Sequence, residues 1–201
     1  MESTPPEDYE EPPRRKRSAA GVVAVAIALI LAILLLASPW CWALVGDIVK
    51  RLERSGLKLA AMKMLVANKD HIEKHYTLDP GWRKSVGEKT IKSYKEKGTT
   101  PPSEDPIEIS NAVLNGLINF MTAGPVIAMI WEGAHAVKIV RKLVGGTEPL
   151  SSDVGTIRGD YVLDSYEIAD GDNRAIRNLV HASGSVEEAE MEINHWFLPN
   201  E

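Results

Sequence analysis

The sequence predicts a mixed helix-and-strand domain standing behind one membrane-spanning helix. Two observations predict the domain. Short apolar runs over residues 57–65 and 126–131 read as strands, and several longer stretches repeat apolar residues at helical spacing. A third observation predicts the membrane helix: residues 18–46 carry no charge and are rich in leucine and alanine.

Residues 1–17 are rich in proline and charge, acidic first and then basic at Arg14, Arg15, Lys16 and Arg17. Such a segment buries too little apolar surface to order itself. The span is placed at 18–43, with Trp40 and Trp42 where an interfacial aromatic belt would lie. A cleaved signal peptide competes with the anchor. The basic start fits, but the apolar run is long and a cleavage site ending at Ala43 is poor. In a third reading, part of the run, over 29–37, is a buried strand of the domain itself.

The domain is expected over 44–201. Residues 45–56 read as an amphipathic helix lined by Val45, Ile48, Val49 and Leu52 and stopped by Gly56. The run 57–65 follows as a strand apolar on both faces, and Asn68 caps a short helix that ends near His75 and Tyr76. Residues 77–110 form an insertion with a basic segment, anchored on one helix face by Trp82, Val86 and Tyr94, and then a turn-rich stretch. A helix over 111–120 has Val113, Leu117 and Phe120 as its core stripe. The strand 126–131 leads to a helix over 134–143, closed by Gly145 and Gly146. Residues 162–177 are a second insertion, acidic and turn-rich. Ser185 and Glu188 start the last helix as a capping box, and Val186, Ala189, Ile193 and Trp196/Phe197 recur along it at helical spacing.

The bulk properties of the 201 residues exclude some functions. A net charge of −5 argues against nonspecific nucleic-acid binding, which needs a basic face. The single cysteine, Cys41, can make neither an internal disulfide nor a zinc site, which suits a reducing compartment. No G-x-x-x-x-G-K-[ST] loop is present, so a P-loop nucleotide site is out.

The chemistry concentrates between Gly155 and Glu192. His181 lies between Asn178 and Ser183, behind an apolar pair, Leu179 and Val180, that reads as the buried end of a strand or of a short helix. Glu192 flanks the stripe of the last helix, where its carboxylate can turn back toward the histidine. A neutral imidazole is a nucleophile near pH 7, and the fork of Arg158, upstream, suits phosphate oxygens. A lone histidine beside small residues is, however, more often structural than catalytic.

The strings GTIRGD, NLVHAS and SVEEAEMEI closely resemble the signature of nucleoside diphosphate kinases. So do SGLKLAAMKML, HY, GPVIAMIWEG and AVKIVRKLVGGTEP upstream, all in the family's order, so that the resemblance covers roughly residues 44–201. It implies a ferredoxin-like α+β domain: an antiparallel sheet with helices on one side. It also implies transfer of a γ-phosphate from ATP to nucleoside diphosphates through a phosphohistidine on His181, as a homo-oligomer. By the same resemblance Glu192 orients the imidazole, Ser183 positions Glu192, and Asn178 contacts the sugar and the bridging oxygen. Arg141, Thr147 and Arg158 bind phosphate, and Tyr76 lies beside the nucleotide pocket. The position where the family stacks the base on an aromatic is Val113 here. Mg2+ comes mostly held by the phosphates, so no protein metal ligand is expected.

The departure from the family lies at the front. L-V-G-D stands at residues 44–47 where the family has L-V-G-E. The family's phosphate-binding lysine falls at about Leu36 and an arginine at Trp42, both inside the apolar run. The alternative expectation is therefore a membrane-anchored nucleotide-binding pseudokinase or assembly module. Location is expected at a membrane with the kinase domain in the cytosol, where ATP is; otherwise the protein is cytoplasmic. The basic cluster at 14–17 pulls the other way by the positive-inside tendency.

Overall fold

Helix α1, Trp40–Arg54, opens the computed structural model, which describes residues 40–201. Ile48 and Leu52, one turn apart, are fully buried and fix the face that α1 turns inward. The last four residues of the span expected at 18–43 are the first turn of this helix, so no element boundary falls at Ala43. The rest of that span, the tail at 1–17 and Leu36 lie outside the described residues. Among the described residues no helix is long and apolar enough to cross a membrane.

Strand β1, Lys58–Leu65, pairs antiparallel with β2, Val126–Glu132, with Leu65 opposite Val126 and Lys63 opposite Ala128. The register shifts between Leu59 and Ala61. That irregularity switches faces: Leu59 packs on the side of Trp131, whereas Ala61 and Leu65 pack on the other. The strand expected to be apolar on both faces is covered on one of them only, for Met62 and Met64 on the other are about half exposed.

Helices cover both faces of β2, which corrects the expectation of helices on one side. Ile127, Met129 and Trp131 point into a first core with α1, with α5 (Ala136–Val144) and with Ile157 of α6 (Ile157–Tyr161). Val126 and Ala128 point into a second core with α2 (Lys69–Tyr76) and α4 (Pro106–Met121). A strand buried on both sides reads as the continuous apolar run seen at 126–131.

The first insertion is mostly helix α3, Trp82–Glu96, laid against α4. A side chain at Gly87 would collide with the backbone of Pro106, so the two helices cross at a distance only glycine permits. Helix α4 begins earlier than the apolar stripe suggests. Asp105 accepts a hydrogen bond from the Ile107 N–H at 2.8 Å and Pro106 occupies the first helical position.

The second insertion folds into α7, Tyr166–Gly171, capped by Ser165. Arg174 grips Asp164 with both terminal guanidinium nitrogens, at 2.7 and 2.9 Å, and the Arg177 N–H donates to the same carboxylate at 2.6 Å. The last helix, α8 (Val186–Trp196), starts where expected, with Ser185 accepting from the Glu188 N–H at 3.1 Å. The Glu188 carboxylate takes the Gly184 N–H instead, one residue before the cap, at 2.6 Å. Ala189 of α8 enters the first core while Trp196 enters the second, so α8 lies across the seam between them.

Candidate active site

Glu192 sits in that seam, two turns into α8 and only 2 % exposed. Its Oε1 is 2.8 Å from Nε2 of His181, and its Oε2 accepts a hydrogen bond from the buried hydroxyl of Ser183. Burial alone would raise the carboxyl, but His181, His75 and Ser183 together hold it below the usual carboxylate range. The three residues expected at the catalytic centre are thus brought together. The imidazole of His181 keeps a quarter of its surface open.

Residues 178–184 form neither of the elements expected behind the histidine. Val180 and Ala182 are buried in the first core, but the stretch has no helix or strand. Leu179 has φ of +67°, and the Val180 N–H donates to the Asn178 carbonyl two residues back, at 2.8 Å. That is a γ-turn of the rare, strained kind. Apolar residues at this spacing resemble a strand in sequence; the turn shows only in the backbone.

Arg158 is buried, and its guanidinium donates to backbone carbonyls: Asn178 through Nε at 3.3 Å, Gly145 and Gly146 through Nη1 at 3.2 and 2.8 Å, and Val180 through Nη2. Burial, and then the positive charge of Arg141, pull its pKa down to about 10. Arg141, in the last turn of α5, donates to the Ala182 carbonyl at 3.1 Å. Gly145 ends that helix with φ of +90°, and a side chain there would strike Thr156 at 2.6 Å, so only glycine lets α5 finish against α6. Asn178 reaches back to the Thr147 carbonyl at 3.3 Å. Arg141 and Arg158 thus both hydrogen-bond the loop that carries His181, and Asn178 ties that loop to Thr147.

Tyr76 joins the centre through His75. The rings of Tyr76 and His75 lie 4.8 Å apart, and those of His75 and His181 lie 5.0 Å apart, edge to face. Burial and Glu192 push the Tyr76 phenol above its usual range. Trp82, from the first insertion, packs beside Tyr76 at 5.3 Å. Val113 is half-buried on α4. One turn on, a side chain at Gly116 would meet Ala175, three residues before Asn178, at 3.5 Å.

Two residues of the centre were missed by sequence reasoning. His75 is buried, its Nε2 lies 3.7 Å from Glu192 Oε1, and its Nδ1 accepts the Trp196 indole N–H at 3.1 Å. The signal available was spacing: Trp196 follows Glu192 by one helical turn, and His75 follows the buried Ile72 by three residues. His75, His181 and Glu192 place one ligand atom each within 4.8 Å of one another. Two imidazoles and one carboxylate suit a borderline metal and not Mg2+, which takes oxygen ligands.

The family model described as nucleoside diphosphate kinase matches residues 39–95 and 108–201, with the gap falling at the end of the first insertion. A nucleoside diphosphate kinase of Pyrobaculum aerophilum is 45% identical over 162 residues, covering 79% of this chain and 88% of that protein. The human nucleoside diphosphate kinase B is 36% identical over 158 residues, covering 79% and 78%. Among solved structures, the P. aerophilum NDP kinase superposes with a TM-score of 0.79 at 41% identity, covering 88% of this chain and 98% of that one. A Borrelia burgdorferi nucleoside-diphosphate kinase, solved as a transition state mimic with vanadate and ADP, gives 0.67 at 32% identity, covering 87% and 88%.

Proposed function

The chain belongs to the nucleoside diphosphate kinase family, and from that premise we propose that it moves a γ-phosphate between nucleotides in two steps through His181. The observation that carries this is the hydrogen bond between His181 Nε2 and Glu192 Oε1. With the imidazole proton on Nε2, facing the carboxylate, the lone pair of Nδ1 is free to attack. Nδ1 forms a bond to the γ-phosphorus, the bond from phosphorus to the β,γ-bridging oxygen breaks, and the diphosphate leaves with the electron pair. A second nucleoside diphosphate reverses the step, its terminal oxygen displacing the imidazole.

Phosphoryl transfer needs positioning and charge more than covalent help. Arg141 and the Thr147 hydroxyl would hold the phosphates, Asn178 the sugar and bridging oxygen, and Arg158 would add positive charge from beneath. Tyr76 would flank the nucleotide, and Val113 would supply an aliphatic wall where a ring stacks in the family. Mg2+ would enter on the phosphates of the nucleotide, neutralising charge there; the nitrogen-rich trio of His75, His181 and Glu192 does not suit it.

The non-catalytic, membrane-anchored alternative gains no support: His181, Glu192 and Ser183 form one hydrogen-bonded group, and no described helix can cross a membrane. We place the domain in the cytosol, where ATP is, a placement that protease protection in sealed cells tests. We also propose a homo-oligomer. It is supported by apolar surface left open on and just after β1, at Met62, Met64 and Val66. Light scattering of the intact chain against Met64→Lys checks it: an unchanged mass rejects this surface.

Incubation with γ-labelled ATP is expected to yield an acid-labile, alkali-stable phosphoprotein, and His181→Ala to yield none. Label persisting in His181→Ala overturns the assignment.

A further inference from the structure

We propose that Tyr166 is a nucleobase-binding residue that the second insertion adds to the nucleotide site: its exposed ring packs against the base, in addition to the aliphatic wall at Val113. This rests on the nucleotide reading above and adds to it a contact that the family resemblance does not supply.

Tyr166 is the first residue of α7 and is 41 % exposed. A single exposed ring means little by itself. What matters is where this one is fixed. Its N–H donates to Oε1 of Glu148 at 2.9 Å, and the other carboxylate oxygen of Glu148 accepts the Ser151 hydroxyl at 2.8 Å. Glu148 directly follows Thr147, whose carbonyl takes the Asn178 amide at 3.3 Å. The backbone of Tyr166 is therefore tied one residue away from the two groups read as holding phosphate and sugar.

The phenol is close to the site as well. Partial burial, and then the charge of Glu148, push it above its usual range, while Arg158 pulls it back. Arg158 acts in the same sense on the phenol of Tyr76, so the two tyrosines stand on the same guanidinium from different parts of the chain.

The first insertion completes the setting. Lys97, at the end of α3, donates from Nζ to Asp170 of α7 at 2.8 Å, and the same ammonium lies 5.7 Å from the centre of the Tyr166 ring. The two insertions, 73 residues apart at this pair, thus meet at Tyr166. The ring is held through its backbone and beside a cation while much of the residue stays open. A platform ordered before its ligand arrives loses little entropy on binding. Every base has a π-face, so a stacking ring serves purines and pyrimidines alike, and the larger purines more strongly.

The test is calorimetric binding, in Mg2+, of ADP, CDP and inorganic tripolyphosphate to the intact chain and to Tyr166→Ala, Tyr166→Leu and Tyr166→Phe. Alanine and leucine are expected to weaken ADP binding about 5- to 100-fold, and CDP binding less. Phenylalanine, which keeps the ring, should stay within about twofold, and so should tripolyphosphate, which has no base, with every variant. If Tyr166→Ala yields too little folded protein, leucine against phenylalanine carries the comparison. ADP binding that does not move overturns the proposal, and so does tripolyphosphate weakened as much as ADP. A lower mass by light scattering with ADP binding intact also overturns it and makes Tyr166 a contact between copies. A wild-type chain that binds neither ADP nor tripolyphosphate fails the nucleotide reading instead, and the two failures are separate.

Discussion

Trp196 donates its indole N–H to Nδ1 of His75 across 3.1 Å, joining the last turn of α8 to the last turn of α2. The bond fixes the tautomer: with Nδ1 accepting, the proton of His75 lies on Nε2, facing Glu192. His75 thus borders the catalytic carboxylate, 3.7 Å away, as a neutral imidazole.

Acid should therefore unfold this protein early. Burial, and then the charge of His181, hold the pKa of His75 down to about 3. A depressed histidine leaves stability whole above its unfolded pKa near 6.5, and stability declines as pH falls toward the folded value. The contribution lost between pH 7 and pH 4.5 is about 2–3 kcal/mol, at roughly 1.4 kcal/mol per pH unit below 6.5. His71, held down to about 4 by its burial and by His195, acts in the same direction. Urea unfolding at the two pH values measures it, and a midpoint that does not move contradicts the assignment of His75 as buried and neutral.

Replacing Glu192 by glutamine should slow phosphotransfer about 10- to 100-fold, because a charge-assisted bond to the imidazole becomes a neutral one. Glu192→Ala should in addition lower stability by about 1–3 kcal/mol, since the buried Ser183 hydroxyl loses its acceptor. Denaturant midpoints set beside labelling rates separate the two effects. Equal stability of both variants would show that Ser183 finds another partner.

Asp164 is the anchor of the second insertion. It accepts from Arg174 and the Arg177 N–H, and the hydrogen bonds of Arg174 hold its pKa down to about 2. Its ionised form is favoured by the fold above about pH 4, and that advantage disappears as pH falls through 2. Asp164→Asn should cost about 2 kcal/mol at neutral pH. It should also raise KM for nucleotides more than it lowers kcat, because Asn178 follows Arg177 directly. Unchanged KM would detach the insertion from nucleotide binding.

Much of this is legible from residues alone. The β2 run is apolar at every step and is buried on both faces; Ser185 announces the start of α8; the strings around His181, Ser183 and Glu192 point to one hydrogen-bonded group. What cannot be read shares a physical cause. Met62 and Met64 look like core in sequence, but whether an apolar strand face is covered depends on what packs there. Leu179 offers no glycine or asparagine to betray its positive φ. The start of α4 is set by Asp105 and Pro106, five residues ahead of the expected start, inside a stretch whose composition otherwise reads as loop. The partnership of His75 with Trp196 joins residues 121 apart in sequence, beyond any local pattern.

The course of α8 across the seam makes catalysis sensitive to damage far from it. Ala189 is seated in one packing layer and Trp196 in the other, with Glu192 between them as the pointer of a balance. Truncating a side chain in either layer tips that pointer before it melts the fold, and a displacement of about 1 Å at a reacting geometry costs on the order of a hundredfold in rate. Variants such as Ile118→Ala or Val140→Ala would then circulate as folded, nucleotide-binding and silent molecules, so that among inherited changes in this chain loss of turnover is the more sensitive gauge of interior harm than loss of protein.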